Sequence, residues 1–228
     1  MRIDIVTLFP EVFGPLHSSI PARAQDKEKL ELHLHWLREF GIGPHHQVDD
    51  TPFGGGPGMV MKCEPLVECL DSIGREETRT VIFPTPQGVP FKQKHAVELA
   101  KREHLVFICG HYEGIDQRVR DHWVDLEYSL GDYVLSNGEL AAMVIADAVI
   151  RLIPGVIKPE SYEQDSFFKG GLDHPHYTKP AEFRGHGVPD VLLSGHHKKI
   201  DEWRAKMAAE KTRAVRPDLG DSEISRSV

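Results

Sequence analysis

Three glycine-bearing segments of this 228-residue chain have the residue types needed to grip a small polar ligand through main-chain atoms. They are Pro84-Thr85-Pro86-Gln87-Gly88, Gly110-His111-Tyr112-Glu113-Gly114 and Leu130-Gly131-Asp132-Tyr133-Val134-Leu135-Ser136-Asn137-Gly138-Glu139. Glycine lets a backbone approach a ligand closely or take a positive φ. Singly, PQG and SNG read as ordinary turns; three such loops, each following a β-like apolar run, argue for one pocket. Two charged residues stand out elsewhere. Arg151 interrupts an apolar stretch, and a buried arginine needs a partner or a task; Asp147, one turn earlier, is available as that partner. Asp165, followed by Ser166 and Phe167, reads by residue type as a helix N-cap.

Metal chemistry has little footing in the spacing. The fourteen histidines include His45-His46, His174 with His176, and His196-His197, yet neither HExxH nor a Cys/His finger occurs. Neighbouring pairs diverge too far to share an ion easily, so zinc is not expected and no metal ligand is nominated. The glycines at 54–58 run into Met59-Val60-Met61-Lys62 without P-loop spacing, and no GxGxxG follows a strand. They are better suited to shaping a loop beside the active site.

The elements that must position these loops alternate in type. Apolar, β-branched runs at 3–9, 30–37, 80–83, 105–109 and 125–128 predict strands. Stripes at 64–73 (Leu66, Val67, Leu70, Ile73) and 91–103 (Ala96, Leu99, Ala100) predict helices. The alternation implies an α/β domain around a parallel sheet. Residues 138–153 are apolar nearly all round, so this helix either lies in the core or packs on a second copy of the chain, most simply as a two-fold homodimer. From 154 to 180 periodicity gives way to Gly, Pro, Ser and Asp, a linker composition. A last helix over 196–216 carries Ile200, Trp203, Met207 and Ala208 on one stripe and stops before Pro217, after which the tail is polar and expected to be mobile.

Charge separates the ends of the chain. The net charge of −8 excludes a protein that coats nucleic acid indiscriminately, yet residues 196–216 hold seven Lys or Arg against three Asp or Glu. By itself such a run is more often a solvated helix face than an RNA site. No apolar run reaches the roughly 20 residues of a membrane span, and no signal segment opens the chain. Cys63, Cys69 and Cys109 lack CxxC spacing and fit a reducing compartment, so a cytoplasmic location is expected.

In their order and flanks, the three loops resemble the cofactor-binding loops of the bacterial tRNA (guanine-N1-)-methyltransferase family, knotted enzymes that use S-adenosylmethionine. Further landmarks carry the likeness along most of the chain: Met1 to Pro10, Asp50 to Met59, Arg151-Leu152-Ile153-Pro154-Gly155-Val156, Asp165-Ser166-Phe167, His174-Pro175-His176-Tyr177-Thr178 and Pro189 to Gly195. The resemblance implies an α/β fold with a deep trefoil knot over residues 84–153. It implies a knotted, dimerising, cofactor-binding domain at 1–158, a linker at 159–180 and a small helical tRNA-binding domain at 181–228 with its mobile tail.

It also implies roles. Pro86, Gly110, Leu130, Gly131, Tyr133, Leu135 and Gly138 would form the adenine and ribose pocket, with Tyr112 beside them and Glu113 at the methionine end. Asp165 matches the proposed general base, needed because guanine N1 becomes nucleophilic only as its proton leaves. Arg151 would offset the negative charge pushed onto guanine O6. Magnesium dependence is attributed to the family, and Glu113 or Asp165 could help hold that ion through water. The chain departs from the family at His111, often Arg, and at Asn137, often Gly; Asn is expected to keep the loop's shape by tolerating the left-handed conformation. The favoured activity is methylation of the guanosine 3′ to the tRNA anticodon. Alternatives are a ribose 2′-O-methyltransferase of the same fold and a non-catalytic RNA-binding protein.

Overall fold

The computed structural model describes residues 1–74, 77–168 and 170–219, which fall into two compact units, Met1–Ile157 and Lys158–Val228. The first is an α/β unit. Its strands are β1 (Arg2–Thr7), β2 (Glu31–Trp36), the short antiparallel pair β3 (Asp49–Asp50) and β4 (Val60–Met61), then β5 (Arg79–Pro90), β6 (His104–Ile108) and β7 (Leu126–Ser129). Between and after them come α1 (Ser19–Asp26), α2 (Cys63–Ile73), α3 (Gln93–Leu99), α4 (Gln117–Trp123) and α5 (Gly138–Ile150). Five strands form one sheet in the order β2-β1-β6-β5-β7, with every pairing parallel.

The five apolar runs of the sequence are the five strands of this sheet, shifted by a residue or two, except that β5 extends well past its run. In the central strands the reason for continuity is burial on both faces: every residue of β6 and all but the first of β1 are buried, whereas edge strand β2 mixes exposed and half-buried residues. The helix expected over 91–103 is shorter. The Phe91 amide donates to the Ser129 carbonyl at 2.8 Å, holding that residue on the sheet, and the chain must unwind after Leu99 to enter β6 at His104.

One polar cluster lies among these apolar strands. Asp4 is fully buried and accepts hydrogen bonds from Arg2 Nε (2.7 Å), His35 Nε2 (2.6 Å) and His104 Nε2 (2.7 Å), gathered from three adjacent strands or their starts. Burial pushes its carboxyl upward, but the bonds from His35, Arg2 and His104 outweigh it and hold the group well below the usual carboxylate range. Burial dominates the thiols instead, pushing Cys69 up to about 12 and Cys109 well above its ordinary value, which leaves both inert as nucleophiles.

Helix α5 is buried along most of its length, as its composition demands, but one stripe stays open. Leu140 and Val144 are 48% and 52% exposed, and Asp147 continues the same face one turn on. Arg151 is the C-cap, where its charge meets the negative end of the helix.

The second unit is built more thinly. A two-stranded hairpin, β8 (Glu182–Phe183) with β9 (His186–Gly187), precedes α6 (Asp190–Leu193) and the long α7 (His197–Val215). The expected stripe Ile200, Trp203, Met207 and Ala208 is the half-buried face of α7. Thr212, on the same helix, is the one buried residue among those described in this unit. Its hydroxyl donates to the Ala208 carbonyl at 2.7 Å and accepts from the Leu172 amide at 2.9 Å, so the aperiodic stretch before the hairpin is tied to α7. From residue 220 the polar tail lies outside the described residues. No helix among those described is long and apolar enough to cross a membrane.

Candidate active site

At the carboxyl ends of β5, β6 and β7 the three glycine-bearing loops enclose one cavity of about 300 Å³. This is where a parallel sheet exposes its unpaired strand ends and where the strand order reverses, since β7 returns to the far side of β5 after β6. The first loop is an outpocketing of β5. Pro84 and Val89 both register against Tyr128, so the four residues between them are ejected from the ladder, and Pro86 and Gln87 face the cavity.

Close packing fixes the other two loops against each other. The Gly138 amide donates to the Gly110 carbonyl at 2.9 Å, and a Cβ on Gly138 would stand 2.6 Å from the Gly110 nitrogen. No side chain fits there, which is the physical need for glycine at 138. Tyr112 takes a positive φ of 58°, a strained conformation for an aromatic residue, and turns the chain so that Glu113 lines the cavity. Behind it lies the glycine-rich 54–58 loop: the Glu113 amide donates to the Met59 carbonyl at 3.0 Å, placing that loop beside the site.

Of the residues nominated for cofactor binding, Pro86, Gly110, Tyr112 and Glu113 line the cavity, as do Leu130, Tyr133, Leu135 and Gly138. Gly131 does not. It shapes the third loop from behind, its carbonyl accepting from the Tyr133 amide at 2.9 Å and its amide donating to Ser129 Oγ at 3.2 Å. Arg151 and Asp165 do not line this cavity either. The 13 residues of α5, which begins at the cavity with Gly138, place Arg151 about 20 Å away at ~1.5 Å per residue. Asp165 belongs to the second unit, in a turn rather than at a helix start, so the N-cap reading does not hold. It lines a separate cavity of about 920 Å³ formed with α7.

Both departures from the family pattern have a structural answer. Asn137 is extended, with φ −163°, so the position makes no demand for the left-handed conformation and the reason expected for tolerating Asn is not the operative one. His111 donates from Nε2 to both oxygens of Glu139, at 2.8 and 2.9 Å, and Thr7 Oγ1 donates to the same carboxylate at 2.6 Å. Burial would raise the Glu139 carboxyl, but these bonds from His111 and Thr7 outweigh it and bring the group below its ordinary value.

Sequence reasoning overlooked Glu139 as a site residue, although a carboxylate in the first turn of an apolar helix is as conspicuous as Arg151 at its end. It overlooked Arg120 as well, for which no sequence signal exists. Arg120 grips Glu127 with two bonds of 2.8 and 2.7 Å, stacks 5.7 Å from the Phe83 ring and donates to Gln87 Oε1 at 2.7 Å, bracing the first loop from outside.

One family model, described as tRNA (Guanine-1)-methyltransferase TrmD, matches residues 1–222. Among curated relatives, a tRNA (guanine-N(1)-)-methyltransferase of Brevibacillus brevis is 57% identical over 221 residues, covering 96% of this chain and 91% of its own length. A protein of the same name from Desulforamulus reducens is 53% identical, covering 99% of this chain and 91% of its own length. A third, from Bacillus cereus, is 52% identical over 99% of this chain and 95% of its own length.

Proposed function

Because the chain belongs to the tRNA (guanine-N1-)-methyltransferase family, we propose that it moves a methyl group from S-adenosylmethionine to N1 of the guanosine 3′ to the tRNA anticodon, guanosine-37. The observation that carries this reading is the convergence of all three glycine-bearing loops on one cavity at the sheet's carboxyl edge. Main-chain amides and carbonyls there suit the edge of an adenine, and Glu113 suits the donor's ammonium group. The donor supplies an activated methyl whose leaving group is a neutral thioether, so positioning contributes much of the rate.

The protein's own tasks are to hold the donor and to move one proton. Asp165 accepts the N1 proton of guanine, and the pair of electrons thereby exposed attacks the methyl carbon. Charge then accumulates on guanine O6, where an arginine stabilises it. Arg151 is that arginine, in a homodimer formed across the open stripe of α5. If two copies pair Leu140 and Val144 antiparallel about a two-fold axis, the end of α5 in one copy meets the start of α5 in the other, and the partner subunit's Arg151 reaches the cavity. His111 spends its Nε2 proton on Glu139, which supports a role in setting the second loop rather than in pairing with the donor's carboxylate.

Family membership is what carries the reading that residues 84–153 form a deep trefoil knot. The exposed Lys198, Lys199, Lys206 and Lys211 on α7 support tRNA binding by the second unit, with residues 159–180 as its linker. Magnesium fits the described residues poorly. The one group of three metal-ligating side chains among them, Asp173, His174 and His176, is rich in imidazole, whereas magnesium prefers oxygen, and no step is assigned to that ion.

Incubation with purified tRNA and methyl-labelled S-adenosylmethionine, followed by nucleoside mapping, tests substrate, reaction and position together. Label in 1-methylguanosine next to the anticodon is the expected result. Label on a ribose, or none, overturns the reading.

A further inference from the structure

The second unit brings together three side chains for which the proposed reaction has no use. Asp173, His174 and His176 each offer a ligand atom, and these atoms all lie within 4.8 Å of one another. The two imidazole rings are 4.4 Å apart, centre to centre, despite the spacing of only two residues. We infer that they form a site for one divalent transition-metal ion of the zinc class, built from two imidazoles and a carboxylate.

His174 and Asp173 are each oriented by a second bond. His174 Nδ1 lies 3.1 Å from the Pro175 carbonyl, which can only accept, so that nitrogen carries the proton and Nε2 presents its lone pair. From there to Asp173 Oδ1 is 3.8 Å, too long for a hydrogen bond. It is shorter than two metal–ligand bonds of about 2.1 Å laid end to end, so one ion bridges the gap at an obtuse angle. The other carboxylate oxygen accepts from His176 Nε2 at 2.7 Å, and the tautomer with the proton on Nδ1 frees Nε2 for the metal. The Asp173 carboxylate is steered by the His174 amide, which donates to Oδ1 at 2.7 Å.

Ligand chemistry selects the metal. Two imidazoles and one carboxylate suit zinc, cobalt or nickel, while magnesium and calcium prefer oxygen throughout. Asp173 and His174 also line the cavity of about 920 Å³ beside α7, which leaves room for water to complete the shell. A tie one residue from Asp165 points to what the ion does: the Asp173 amide donates to Ser166 Oγ at 2.9 Å. In a unit with so little buried surface, a bound ion fastens the turn that carries Asp165 to the segment leading into the hairpin. The site stands on its own residues and does not depend on the methyltransferase reading.

Titration of the full chain, lacking any added histidine tag, with Zn²⁺ and separately with Co²⁺ tests the site without tRNA or S-adenosylmethionine. The expected result is one ion per chain, a visible Co²⁺ absorption band, and no displacement by excess Mg²⁺. His174→Ala and His176→Asn should each weaken binding by about tenfold or more. The exposed His176 side chain makes its variant the one least apt to disturb folding. A His196→Ala/His197→Ala control should leave binding unchanged. Failure to bind one ion per chain overturns the inference, as does undiminished binding in either ligand variant with unchanged circular dichroism.

Discussion

The two units of this chain secure order by opposite means. In the first, the central strands of a parallel sheet, buried on both faces, supply a dense apolar core, and the strand ends carry three loops that line one cavity. In the second, among the described residues, only Thr212 is buried, and hydrogen bonds do much of what packing does elsewhere. The difference teaches that a site for a small ligand needs walls set before binding, and only the first unit has the core to set them. It also explains the charge asymmetry, since the basic residues collect on the helix with least to bury.

The sharpest test of this division is Asp165→Ala, which should cut methyl transfer by about 100-fold to 10,000-fold while S-adenosylmethionine binding, measured by calorimetry, stays intact. Loss of donor binding in that variant would mean that the two units do not divide the work as described. Next in size is Asp4→Ala, which strips the carboxylate from Arg2, His35 and His104 and should cost about 3 kcal/mol in urea unfolding of the first unit. Because the folded carboxyl titrates below its ordinary value of 3.8, its contribution is complete above that pH and is lost as acid drives the pH below it. The stability gap between wild type and variant should therefore narrow in acid; a gap constant with pH would remove Asp4 from this role.

Gly138→Val probes the rigidity of the walls. A branched side chain facing the Gly110 nitrogen should cost about 1–3 kcal/mol by overpacking and weaken donor binding about tenfold or more, with α7 unaffected. Unchanged donor affinity would show that the loops adapt. The smallest effect is expected of Thr212→Ala, about 1 kcal/mol, seen as faster amide exchange at Leu172 with no change at β6. If exchange in β6 quickens too, the units are one cooperative body.

Much of the first unit was legible because local and global demands agree there. The central strand runs are continuous in apolar residues since both faces of the sheet are covered there, and α5 is apolar because it is mostly enclosed. The glycine at 138 was legible for a similar reason, as only that residue type survives contact with another backbone. Residues whose importance arises from partners far along the chain were not. Arg120 bracing Gln87, or Thr7 reaching Glu139 across 132 positions, leaves no trace in spacing. The same holds for Asn137, where residue type suggested a left-handed turn and the chain is extended. It holds too for His174 and His176, whose rings meet because Asp173 and Pro175 orient them.

What the amino-acid order determined alone was the kind of each element, the family, and the loops able to bring backbone to a ligand, because these depend on residue type and short-range pattern. Only the tertiary structure decided that the loops share one cavity and that Arg151 stands at the far end of α5 from it. It also decided that an aspartate and two histidines converge in the second unit. Those facts are distances between segments far apart along the chain, or ring orientations set by neighbouring backbone, and no local preference encodes them.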